Sequence, residues 1–241
     1  MTLSAKGLSR DQIAWRLARD IPEGWFVNLG IGMPEKVANH LDGREVIFHS
    51  ENGILGMGPT PPAGQEDPQL INAGKKPITA LPGASFFDHA WSFGIVRGGH
   101  LDLCVLGAYQ VAANGDIANW ARSADDPLPA IGGAMDLAAG AKRIFVMMDH
   151  VEKSGAPRLL ERCAYPLTGA GVVRRVYTSL AVVDVTPEGF VVREIVPGVS
   201  PGDLQAVTGA RLAFAPDLGV LEAPAELAAP APDAAAPGKA A

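Results

Sequence analysis

An α/β fold, with a mainly parallel sheet flanked by helices, is predicted from three features of this chain. Helical and strand signals alternate along most of its length. Strand candidates such as Leu101-Asp102-Leu103-Cys104-Val105-Leu106 are nearly continuous apolar runs, which strands buried on both faces require. Glycine and proline punctuate the junctions between these segments. With 241 residues and 48% hydrophobic content the chain can bury a full core, and one domain is expected over residues 1–221.

Ser9 is placed to cap a first helix in which Ile13, Leu17 and Ile21 recur at helical spacing. Trp25-Phe26-Val27 follows as a strand and runs into Asn28-Leu29-Gly30-Ile31-Gly32-Met33-Pro34. Pro34 suits the first turn of a helix over 35–41, where its missing N–H costs nothing. Residues 45–48 form the next strand. From 53 to 83 the sequence is dense in glycine and proline and is read as an ordered functional loop with at most one short strand at 78–81. Residues 84–96 read as a helix with Phe86, Phe87, Ala90, Phe93 and Ile95 inward. Strands are expected at 101–106 and 143–148, with a turn at Asn114-Gly115-Asp116 and a short helix opening at Gly132-Gly133-Ala134-Met135-Asp136-Leu137. Segments 180–185 and 190–195 pair as a hairpin through Pro187-Glu188-Gly189, and 201–208 makes a last short helix. From 222 to 241 alanine and proline dominate with almost no large apolar groups, so a disordered tail is expected.

Composition excludes several functions. The net charge is −6, with 26 acidic against 20 basic residues, and the basic pairs Lys75-Lys76, Lys142-Arg143 and Arg174-Arg175 are scattered; no footprint for nucleic acid is present. Two cysteines form neither a disulfide framework nor a zinc spacing, and Cys104 within its apolar run reads as an inert buried thiol. The five histidines show no metal-ligand spacing, so no metal is expected; His49 and His89 read equally as pocket residues or satisfied buried ones. The first residues lack the apolar core of a signal peptide and no run is long enough to span a bilayer, so a cytoplasmic location is expected.

The chemistry concentrates at His49-Ser50-Glu51-Asn52-Gly53, where the run Val46-Ile47-Phe48 ends in a carboxylate followed at once by glycine-rich backbone. Alone, Glu51 reads as a strand-end carboxylate facing water. Beside Ser50, Asn52 and Gly53 it reads as a displayed nucleophile. Three glycine turns accompany it, Gly30-Ile31-Gly32, Gly56-Met57-Gly58 and Gly132-Gly133. The first lies where a dinucleotide fingerprint would sit, but Glu35 occupies the third-glycine position, which argues against a nicotinamide site. Each turn alone is a tight turn; three in one α/β chain, one of them beside a candidate nucleophile, point to a ligand with a phosphate-bearing arm. Lys75 is placed to meet such a phosphate, with an exposed solvated lysine as its plain alternative. Trp91 and Trp120 read as packing residues, and no serine or cysteine nucleophile is evident.

These residues resemble the β subunit of family I CoA-transferases of the succinyl-CoA:3-oxoacid type, over roughly residues 8–214. The resemblance rests on the Asn28–Pro34, Ser50–Gly53 and Gly56–Pro59 segments, on Ile71-Asn72-Ala73-Gly74-Lys75, Arg97-Gly98-Gly99-His100 and Gly115-Asp116-Ile117-Ala118-Asn119-Trp120, and on the Gly132–Leu137 and Pro166–Gly169 segments. It implies a CoA-transferase-like α/β fold and a covalent ping-pong transfer in which Glu51 attacks an acyl-CoA and becomes a glutamyl-CoA thioester. CoA is then a substrate and covalent intermediate, with no resident cofactor. The same resemblance places the Gly132-Gly133-Ala134 turn near the thioester and Asn28, Gly30, Gly32, Asn52, Gly53 and Lys75 in contact with CoA.

Because the resemblance covers only the β half of a two-part enzyme, an α subunit is implied as obligate partner, in a heterodimer or α2β2 heterotetramer. The segments Phe86–Phe93 and Pro127–Gly133 are closer to enzymes acting on 3-oxoadipate than on acetoacetate, with acetoacetate or another short acid as the alternative acceptor. Two competing readings are a non-catalytic effector-binding module on the same fold and a chain with a decayed site. Neither a helix-turn-helix nor a basic face supports the first. The intact Glu51 surroundings oppose the second.

Overall fold

The computed structural model describes residues 7–41, 43–123 and 131–228. Helix α1 (Arg10–Arg19) starts at Ser9, whose hydroxyl accepts from the Gln12 N–H while the Gln12 side chain accepts from the Ser9 N–H, a closed capping box. Its apolar stripe, Ile13, Leu17 and Ala18, is buried against the core. Strand β1 (Phe26–Leu29) follows, then a 3-10 helix (Met33–His40) packed on α1, and strand β2 (Ile47–Ser50).

The next segments depart from the sequence reading. Instead of a loop with one strand, β3 (Ile54–Met57) turns back antiparallel on β2, and β4 (Ala80–Phe86) pairs antiparallel with β3. The predicted helix at 84–96 is split: its first residues belong to β4, and α2 spans only His89–Arg97, capped by Asp88 accepting from the Trp91 N–H at 2.9 Å. Pairing of Ile54 with Phe86 wins over local helix propensity there. Phe86 is therefore 62% exposed, not inward, Ala90 is exposed as well, and Trp91, read as packing, is 69% exposed.

Strand β5 (Leu103–Leu106) is buried at every position, as its apolar run predicts. Strands β6 (Gln110–Ala112) and β7 (Ile117–Ala118) form a small separate sheet with β9 (Leu159–Leu160). Between them lie α3 (Ala134–Gly140) and β8 (Ile144–Met148). The chain finishes with β10 (Val173–Thr178), the hairpin β11 (Ala181–Thr186) and β12 (Gly189–Ile195), α4 (Pro201–Ala206) and β13 (Leu212–Val220).

The main sheet has ten strands in the order β13-β12-β11-β10-β8-β5-β1-β2-β3-β4. Its centre, β10-β8-β5-β1-β2, is parallel throughout; β3 and β4 extend it by antiparallel pairing on one side, and on the other β11 and β12 do so before β13 pairs parallel with β12. The outermost strands are β4 and β13. A charged hub ties α1 to the C-terminal strands: Asp20 accepts from Arg16 and Arg175 at 2.8 Å and from the Tyr177 hydroxyl at 2.6 Å. Arg16 also pairs with Glu194, and Arg175 with Asp184. Burial alone would push the Asp20 carboxyl up, but the Arg16 and Tyr177 hydrogen bonds hold it below the ordinary carboxylate range.

The expected tail begins packed rather than free. Ser9 donates to the Leu227 carbonyl at 2.6 Å and Gln12 to that of Pro224 at 3.1 Å, beside a 3-10 turn at Ala225–Ala228. Residues 229–241 of that segment lie outside the described residues, as does the stretch 124–130 that includes the start of the Pro127–Gly133 segment. No helix among the described residues is long and apolar enough to cross a membrane.

Candidate active site

The parallel order fixes where a ligand can sit. Chain leaving β1 crosses to β2 on one side, whereas β5 pairs on the other side of β1. Such a reversal opens a crevice outside the carboxyl ends of the strands. A cleft of about 460 Å³ lies there. Gly30 and Ile31 after β1, Glu51 after β2 and Gly107 after β5 form one wall, and the Gly132-Gly133-Ala134 turn leading into α3 forms another.

Glu51 is half-buried, and its carboxylate is held from below. Asn28, on β1 and 0% exposed, donates from Nδ2 to Glu51 Oε2 at 2.9 Å and to the His49 carbonyl at 3.2 Å. Nδ2 also faces His49 Nδ1 at 3.3 Å, so that nitrogen must be an acceptor. The His49 proton then sits on Nε2, which donates to Ser92 Oγ at 3.0 Å across to α2. The Asn28 oxygen faces the Cys104 thiol at 3.5 Å. The amide orientation is set by the other two neighbours: a flipped Asn28 would aim its oxygen at the Glu51 carboxylate and the His49 carbonyl. One carboxylate oxygen is tethered, and the other is left for chemistry in the cleft.

The backbone beyond Glu51 needs glycine. Gly53 has φ +121°, and a Cβ there would lie 2.1 Å from the Phe87 carbonyl oxygen, whose residue bonds back to Gly53 through its own N–H. The corner between β4 and α2 therefore rests directly on the turn that displays the carboxylate. Cys104 is 0% exposed, and its thiol is raised well above the ordinary range by burial and then by the Glu51 charge, so it is the inert thiol expected.

Of the sequence-predicted site residues, the fold brings Glu51, Gly30, Gly132, Gly133 and Ala134 together around the cleft. The others stand elsewhere. Asn28 is buried beneath Glu51. Gly32 (φ +95°) donates its N–H to Glu35 at 2.8 Å in the turn before the 3-10 helix. Asn52 is exposed and donates to the Ile71 carbonyl at 2.7 Å, Gly53 is buried in its turn, and Lys75 is exposed at φ +62° on the neighbouring loop; none of these lines the cleft. Charged wall residues absent from the sequence reading are Arg10, Asp149 and Arg158. No local motif marks them.

The two fully buried histidines give the fold an acid limit. Burial pushes both His49 and His150 down to about 4, while an unfolded histidine titrates near 6.5. Below pH ~6.5 the unfolded chain takes up protons that the folded chain refuses, so the histidine contribution to stability falls between pH ~6.5 and ~4 and is fully lost below. The expected loss is about 3 kcal/mol per histidine across that window. Urea midpoints measured from pH 7 to pH 4.5 test this; a flat profile would contradict it.

These features define a class: an α/β chain that presents one tethered carboxylate to a cleft at the ends of its parallel strands. The profile of the family described as Coenzyme A transferase matches residues 10–206, and the chain belongs to that family. It is 56% identical over 211 residues to the β subunit of the 3-oxoadipate CoA-transferase of Acinetobacter baylyi, covering 87% of this chain and 97% of that one. It is 46% identical over 201 residues to the β subunit of the succinyl-CoA:3-ketoacid coenzyme A transferase of Helicobacter pylori, covering 83% and 97%. A thioester complex with CoA of an acyl-CoA transferase from Escherichia coli O157:H7 shares the fold at a TM-score of 0.70 and 20% identity, over 92% of this chain and 44% of that longer one. Family and fold are thus those the sequence motifs indicate.

Proposed function

We propose that this chain is the β subunit of a CoA-transferase that moves CoA from succinyl-CoA to 3-oxoadipate through a glutamyl-CoA thioester at Glu51. The observation that carries the proposal is the Glu51 carboxylate in the cleft, one oxygen bonded to Asn28 Nδ2 at 2.9 Å, facing the Gly132-Gly133-Ala134 turn. The two transferase relatives supply the substrates by analogy.

The free Glu51 oxygen attacks the succinyl carbonyl carbon; the C–S bond breaks and CoA leaves as thiolate. The thiolate attacks the side-chain carbonyl carbon of the resulting mixed anhydride and displaces succinate, leaving the thioester. A 3-oxoadipate carboxylate then attacks the thioester and expels the thiolate, which takes the acyl group and frees Glu51. In both steps at the glutamyl carbon, negative charge develops on Oε2, where the Asn28 N–H already points. Glycine turns can bring backbone N–H groups close to the acyl oxygen without a Cβ in the way.

The intermediates hydrolyse unless water is excluded, and the cleft is open at its mouth. Ile31, which lines the cleft, and Phe86, Trp91 and Met135 are large apolar side chains left 44–69% exposed. Exposed apolar groups of this size fit burial by an α subunit, in a heterodimer or α2β2 heterotetramer.

Incubating the αβ complex with succinyl-CoA, then reducing with borohydride, tests the reading. Conversion of Glu51 to an alcohol only after succinyl-CoA exposure is expected by peptide mass analysis. An unmodified Glu51 in an active complex would overturn it.

A further inference from the structure

The charged side chains lining the cleft are Glu51, Asp149, Arg10 and Arg158. Arg10 and Asp149 face each other at 3.6 Å near the mouth, 62% and 41% exposed. Arg158 has no carboxylate partner among the described residues. Its Nε is buried and makes no hydrogen bond, and one terminal nitrogen only reaches the Ala108 carbonyl at 3.5 Å. This is out of keeping with the rest of the molecule, where the half-buried Arg16 and Arg175 each satisfy two carboxylates. A partly desolvated guanidinium is costly to leave unpaired, and its planar fork matches a carboxylate through two parallel bonds.

We propose that Arg158 binds the remote carboxylate of a dicarboxylic acyl chain whose other end reacts at Glu51, making it the residue that selects dicarboxylic over monocarboxylic 3-oxo acids. The inference rests on the Glu51 reading above and adds the substrate class to it. The placement fits. Arg158 lies just before β9, with its N–H on the His150 carbonyl and its side chain over the segment that follows β5. Glu51 follows β2, and only β1 separates β2 from β5. Two strand spacings amount to ~10 Å, an interval that a short dicarboxylic chain and an arginine side chain cover together. The succinyl donor and a six-carbon 3-oxo diacid each bring one carboxylate for this position, so one guanidinium serves both halves of the ping-pong cycle.

The test uses the αβ complex carrying Arg158→Gln or Arg158→Lys, with kcat/KM measured for 3-oxoadipate and for acetoacetate as acceptors. In a ping-pong scheme that parameter contains no donor step, so the ratio isolates recognition of the acceptor. Arg158→Gln is expected to lower the 3-oxoadipate:acetoacetate ratio by roughly 10²-fold, and Arg158→Lys, which keeps the charge but not the fork, by about tenfold. Borohydride trapping of the Glu51 thioester should persist in both variants. A ratio unchanged in either variant, an equal fall for both acceptors, or a parent complex without preference for the diacid overturns the assignment while leaving the thioester mechanism standing. Failure to trap any thioester in the parent complex removes the mechanism, and this assignment with it.

Discussion

Glu51→Gln in the αβ complex is expected to lose turnover by on the order of 10⁴-fold or more, ~5.4 kcal/mol at the transition state, with no change in folding. The carboxamide is isosteric, yet it is a poor nucleophile and leaves no route to a covalent intermediate. Folding should survive because the carboxylate accepts only the Asn28 hydrogen bond among the described residues and carries no ion pair. Its surroundings are supported separately: Ser50 Oγ accepts from the Ala73 N–H at 3.0 Å, and the Gly53 N–H bonds to the Ser50 carbonyl. Steady-state turnover with succinyl-CoA, together with a urea midpoint, decides the matter. A variant that kept more than about a hundredth of parental kcat would show that the reaction does not pass through this side chain.

Asn28→Asp should be nearly as damaging for a different reason. The substitution preserves shape but exchanges the donor 2.9 Å from Glu51 for an acceptor. Two carboxylates at that distance share a proton, so the pair titrates in two widely separated steps and the nucleophile is protonated over part of the working range. The donor aimed at developing charge on Oε2 is lost as well, an effect worth on the order of 10²–10³ in kcat. The expected signature is a fall of that size at pH 7, with activity partly recovered at higher pH as the pair loses its shared proton. Asn28→Leu should show the fall without the recovery. Parental kcat in Asn28→Asp, or identical pH profiles for the two variants, would mean that Asn28 has no part in orienting Glu51.

How much of the fold and site is legible in the letters depends on how local the signal is. The placing of Glu51 at a strand end can be read because an apolar run, a carboxylate and a glycine lie close together in the chain. Capping of α1 by Ser9 and the buried strand β5 are equally local. Residues 84–87 mislead because small and aromatic residues suit a helix when taken alone, whereas pairing with β3 decides in the fold. Strand β10 escapes notice because Arg174 and Arg175 interrupt its apolar pattern, and Arg175 fits there only through Asp20 and Asp184. For Asn28 the resemblance implies a CoA contact; its hydrogen bond to Glu51 becomes visible only once parallel register with β2 sets it opposite His49. Arg158 carries no signal in its neighbours Pro157 and Leu159. Its place at the cleft arises only when β9 pairs with β6, far earlier in the chain.

The two flanks of the large sheet share one detail. Each outermost strand contains a proline, Pro82 in β4 and Pro216 in β13. A pyrrolidine nitrogen has no hydrogen to give, so neither border offers an unbroken ladder to another strand. The sheet therefore ends with these strands and resists stacking onto copies of itself. The chain is thereby guarded against fibrous self-association, even while its indole and phenyl groups stand uncovered.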